Sequence, residues 1–150
     1  MEERGARWLI GAARASAWIG AFMVFWSQNV QWGNDPDSGV GPPLQWKREV
    51  TGAMLLALVA AAALTISWLR GRRPGALGRT LCAAGGVAVL LIAWMLRRDA
   101  MVDFPHLVQG PGWRWLLAGG GLVLAAASLS LAAPAVVRKK TRPTKTRRRG

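Results

Sequence analysis

The chain has 150 residues, 52% of them hydrophobic, and its 20 Lys and Arg stand against 7 Asp and Glu, a formal charge of +13. That is the length of one domain, but the apolar residues gather in long uncharged blocks, which excludes a water-soluble globule and assigns the hydrophobicity to a membrane. A single Cys excludes an internal disulfide framework and a Cys-based structural zinc site, and a single His leaves little for metal chemistry.

Taken in chain order, Ala15 to Asn34, Val50 to Leu69, Thr80 to Leu96 and Trp115 to Val137 are uncharged runs of 20, 20, 17 and 23 residues. A hydrocarbon core of about 30 Å is crossed by roughly 20 helical residues, so each run is one crossing, the third with Arg79 and Arg97 snorkelling from its ends. The unbroken Met54-Leu55-Leu56-Ala57-Leu58-Val59-Ala60-Ala61 is a helix signal, since a barrel strand would alternate polar and apolar residues. The expected architecture is therefore all-α: four transmembrane helices near 8–29, 50–69, 80–97 and 114–137 in an up-down antiparallel bundle spanning residues 1–137. A basic tail, 138–150, follows. The first helix begins at Trp8-Leu9-Ile10 and retains Arg14; its length, that arginine and its polar end Ser27-Gln28-Asn29 argue against a cleaved signal peptide. Between the second and third helices only Arg70 to Arg79 remains, with Pro74-Gly75 at its centre, which makes those helices antiparallel neighbours. The other two connections are longer, rich in Gly, Pro, Asn and Asp, and too polar to fold separately.

Charge sets the expected orientation. With both termini cytoplasmic, fifteen basic residues lie inside and five (Lys47, Arg48, Arg97, Arg98 and Arg114) outside, as the positive-inside rule requires. Five of the seven acidic residues fall on the outer side. Eight of the nine Trp residues fall at or near span boundaries, the pattern of an aromatic belt at headgroup level: Trp8 and Trp68 inside, Trp26, Trp32, Trp46, Trp94, Trp113 and Trp115 outside.

Small residues recur at helical spacing. Ala12, Ser16 and Gly20 share a face of the first helix; Ala53, Ala57, Ala61 and Thr65 a face of the second; Ala118, Gly121, Ala125, Ser128 and Ala132 a face of the fourth. In lipid such faces let backbones approach closely, either among the four helices or against a partner protein. Trp18, about 15 Å along the helix from Trp8, lies too deep for a belt. With Phe22 and Phe25 it forms a stripe, and Arg14 one turn below is placed for a cation-π contact. This stripe is either a lipid-facing packing surface or a groove for a lipid tail, quinone or partner helix.

Chemistry is sparse. Every ionisable residue lies at or beyond a span boundary, which argues against a pump or proton relay. Asp99, Asp103 and His106 are the nearest approach to a metal set, but Phe104-Pro105 disfavours a helix that would align them, and Arg97 and Arg98 with water serve as partners for the carboxylates. Glu49 reads as a charge favouring a helix N-terminus. Cys82 reads as a buried, inert thiol, and Gly85-Gly86 and Gly119-Gly120-Gly121, lacking a phosphate-loop Lys, as close-packing sites. No nucleophile-base pair, metal or cofactor is implied, and the expectation is a protein without catalytic activity.

The tail, opening with Arg138, Lys139, Lys140 and Arg142, carries eight basic residues directly after a span, so anionic lipid is its expected partner. The absence of interleaved aromatics argues against nucleic acid. Ala, Gly, Arg and Trp abundance with no Tyr suggests a high-GC bacterium. In topology and composition along its whole length, the chain resembles the small multi-span accessory proteins of actinobacterial membrane assemblies, such as Mce-type lipid importers and respiratory supercomplexes. The resemblance implies a non-catalytic accessory subunit in the bacterial plasma membrane, bound to other integral membrane subunits. A stand-alone lipid or quinone carrier using Arg14, Trp18, Phe22 and Phe25 is the alternative.

Overall fold

The computed structural model describes residues 2–33, 40–69, 76–103 and 110–137. Among them are four long helices: α1 (Glu2–Trp26), α2 (Lys47–Leu69), α3 (Ala76–Asp103) and α4 (Pro111–Val137). Each is long and apolar enough to cross a membrane, and the protein is an all-α four-span bundle. The helices overrun their charge gaps. At about 1.5 Å per residue the 28-residue α3 extends beyond the hydrocarbon, so Arg97, Arg98 and Asp99 continue the helix into the headgroup layer instead of ending it. α1 likewise starts at Glu2, and α4 starts at Pro111, where a missing N–H is no loss in the first turn. Pro134 does not end α4, which runs on to Val137.

Consecutive helices are antiparallel neighbours, and α4 returns to pack along α1, closing the bundle. The α1–α4 seam is the most extensive contact, and α2 and α4 also touch across the bundle. The end holding the start of α1 and the close of α4 is called here the terminal end; the opposite end is closed by the α1–α2 connection and is called the capped end.

Bulk is distributed inside out. The interior is built mainly from Ala13, Ala17 and Ala21 of α1, Ala53, Ala57, Ala60 and Ala61 of α2, Ala93 of α3 and Ala126 and Ala127 of α4, with Val and Leu filling between them. Leu55, Val59, Ile66, Leu91, Met95 and Leu131 point outward. In water this would be a costly surface; in lipid, tails cover the large side chains while small ones let the helices pack by van der Waals contact. The buried serines turn back to backbone carbonyls: Ser27 Oγ donates to Val24 O at 2.6 Å and Ser130 Oγ to Ala127 O at 2.7 Å. Such internal satisfaction is what a medium without water demands.

Candidate functional site

The structure concentrates its unusual features in three places: the glycine triplet of α4, the α1–α2 seam near the terminal end, and the capped end. Gly119, Gly120 and Gly121 follow one another on a helix that turns about 100° per residue, so they face three directions. A Cβ on Gly119 would lie 2.6 Å from Gly20 O of α1, and one on Gly20 would lie 2.7 Å from Gly119 O, a reciprocal backbone-to-backbone approach. A Cβ on Gly120 would meet Val89 of α3 at 2.9 Å. Gly121 faces open space, with nothing within 4 Å. The same helix also receives side chains from both neighbours: Ser16 Oγ of α1 donates to Leu122 O at 2.9 Å, and the Cys82 thiol of α3 to Val123 O at 3.4 Å.

The expected small-residue faces thus divide. Ala53, Ala57 and Ala61 are fully buried inside the bundle. Ala118, Gly121, Ala125, Ser128 and Ala132 are all exposed, on the outer side of α4. As a means of holding the four helices to one another, the α4 face is therefore corrected: Gly119, Gly120, Val123, Ala126 and Ala127 do that work. Sequence periodicity grouped the outer residues correctly, but the Gly triplet, facing three ways, was the signal that could have located the inner face.

Along the α1–α2 seam, Trp18 Nε1 donates to Thr65 Oγ1 at 3.0 Å, and Thr65 in turn donates to Ala61 O. Arg14 Cζ lies 4.5 Å from the centre of the Trp68 ring, so its cation-π partner is on α2, one turn past Thr65, and not the expected Trp18 stripe. Trp18, Phe22 and Phe25 stand exposed as a ridge on α1, with Phe22 stacked on Trp26 at 5.9 Å. Arg14 and Trp18 thus both reach across the seam to α2, at Trp68 and Thr65. Arg138, Lys139, Lys140 and Arg142 lie outside the described residues, as does His106.

The capped end corrects the Trp belt. Trp32, Trp46 and Trp113 are buried inside the protein instead of facing lipid headgroups; Trp32 is 1% exposed. Its Nε1 donates to Ser27 O at 2.7 Å, its ring sits 6.2 Å from that of Trp46, and a Cβ on Gly112 would collide with it. Gly110 N donates to Trp32 O at 3.1 Å and Gly112 N to Gln31 O at 3.0 Å. Gly41, at φ +99°, donates to Val30 O at 3.0 Å and closes the loop. One indole thus ties the end of α1 to the starts of α2 and α4. Trp8, Trp26, Trp68 and Trp94 stay exposed, where a belt requires them.

No family profile matches the chain, and no solved structure does. Over 89 residues it is 37% identical to a UPF0060 membrane protein of Methylibium petroleiphilum, a stretch that is 57% of this chain and 71% of that relative. The likeness to actinobacterial lipid-import and respiratory accessory proteins has no counterpart in these comparisons; what they carry is the small multi-pass membrane protein. With four apolar spans and more than two thirds of that relative matched, the chain belongs to the UPF0060 membrane protein family.

Proposed function

We propose that the protein is a non-catalytic accessory or stabilising subunit of a larger assembly in the bacterial plasma membrane, docked through the outer face of α4. The observation that supports this reading is the glycine triplet: Gly119 and Gly120 each meet a neighbouring helix, while Gly121 opens onto a continuous face of Ala118, Ala125, Ser128 and Ala132 with no helix among the described residues upon it. A face of small side chains offers lipid tails little to gain but lets another transmembrane helix approach closely, so its natural cover is an integral membrane protein. The terminal end faces the cytoplasm in this reading, and the basic tail holds anionic lipid there. A lipid-transport or respiratory assembly is the setting that the sequence resemblance suggests.

Purification of the full chain in mild detergent followed by mass spectrometry tests the proposal. A stoichiometric membrane partner is expected, lost from Gly121→Leu/Ala125→Leu while the variant itself remains folded and monodisperse. A native chain that purifies alone and monomeric, or a partner indifferent to the double substitution, overturns it. The exposed Trp18, Phe22 and Phe25 ridge favours a second reading, a stand-alone carrier of a lipid or quinone. That reading requires a small ligand retained in native mass spectra and lost from Trp18→Ala.

A further inference from the structure

A groove of about 470 Å³ opens between the start of α2 and the last turns of α3 at the capped end, away from the outer face of α4. Gln45, Trp46 and Glu49 form one wall, and Ile92, Met95, Leu96 and Asp99 the other. Its size falls within the ~300–1,000 Å³ usual for small-ligand sites. The apolar residues lie toward the middle of the bundle and the two carboxylates toward its end, so the groove is amphipathic along the membrane normal. Glu49 belongs to the first turn of α2, and exposed Trp94 on α3 marks the adjoining headgroup level.

Arg97, Arg98 and water are the partners expected for Asp99 from sequence. Neither arginine pairs with it: neither Glu49 nor Asp99 has an ion-pair or hydrogen-bond partner among the described residues, and both line the groove. Arg48 and Arg98, next to them in sequence, are exposed but are not part of the groove's lining, so its charge comes from the two carboxylates. A ligand complementary to this lining has an ammonium at one end and an apolar body pointing into the membrane.

We infer that this groove holds an ethanolamine phospholipid, its ammonium at the carboxylates of Glu49 and Asp99 and an acyl chain along Ile92, Met95 and Leu96. The two carboxylates disfavour a headgroup with net negative charge. A choline headgroup has no N–H to donate and is ordinarily recognised by an aromatic cage, but the groove has one aromatic residue, Trp46, and that indole is packed against Trp32. A primary ammonium donates three hydrogen bonds, and bonds to a carboxylate are the stronger kind.

The test is native mass spectrometry of the full chain released from nanodiscs containing equal parts of ethanolamine, choline and glycerol phospholipids with identical acyl chains. The ethanolamine lipid should be retained about tenfold over the choline lipid, the ratio one charge-assisted hydrogen bond supplies. Glu49→Gln/Asp99→Asn, which keeps both shapes, should abolish this preference without altering the helical circular dichroism. Met95→Trp, which fills the groove, should lower retention of all three lipids. Equal retention of ethanolamine and choline lipids, preference for the glycerol lipid, a preference that survives the double substitution, or retention unchanged by Met95→Trp each overturns the inference.

Discussion

At Trp32 a single side chain carries several jobs, and each can be removed separately. Its Nε1–H satisfies the carbonyl of Ser27, a residue itself fully buried, and its ring fills the space left by Gly112. Trp32→Phe keeps most of the ring but leaves that carbonyl without its donor, an expected loss of about 1–3 kcal/mol. Trp32→Ala also opens a cavity, and about 3–5 kcal/mol is expected. Denaturation in detergent followed by circular dichroism should rank the two in that order; equal effects would show that the hydrogen bond contributes nothing. None of this was legible in sequence, where a Trp beside a span boundary reads as a belt residue. What sets Trp32 apart is the glycine pair Gly110 and Gly112, distant along the chain and informative only once folding brings it beneath the indole.

Among the elements, α4 is the one on which two neighbours converge, and its glycines separate internal packing from external contact. Leu at position 119 or 120 must push α1 or α3 away, since the added atoms would meet Gly20 O or Val89, and overpacking of this kind costs about 1–3 kcal/mol. Gly121→Leu meets nothing. Thermal unfolding of the three single variants in detergent should show the first two destabilised and the third close to the native protein; a destabilised Gly121→Leu would place that face inside the fold. The four spans and the three small-residue stripes were legible in sequence, because uninterrupted apolar runs and helical spacing are local properties. Which stripe turned inward was not. In a soluble helix polarity distinguishes outside from inside, whereas here Ala57 and Ala125 are chemically the same residue, one buried and one exposed. The Arg14 contact failed for a related reason: spacing within α1 pointed to Trp18, but the guanidinium finds Trp68 on the neighbouring helix.

For the whole molecule, an even number of spans puts the start of α1 and the close of α4 on the same face, and the excess of Arg and Lys assigned to that face predicts that it is cytoplasmic. Reporter fusions at Met1 and Gly150 should both read cytoplasmic; a reporter pair on opposite sides is incompatible with four crossings, and a pair facing outward reverses the charge argument. The bundle and its antiparallel order were accessible from the sequence, but its closure was not, since hydropathy identifies segments without saying how the last one meets the first. That closure bears on biogenesis. The amides of Gly110 and Gly112, at the threshold of the final helix, are what anchor Gln31 and Trp32 in the opening half of the chain. While the ribosome is still making the later helices, the first hairpin has only its own bonds, such as Gly41 N to Val30 O, and the Trp32–Trp46 contact at this end, and insertion of the last helix adds the bonds to Gln31 and Trp32. Nascent chains arrested before Gly110 should accordingly leave Gln31 and Trp32 more open to protease than full-length ones do.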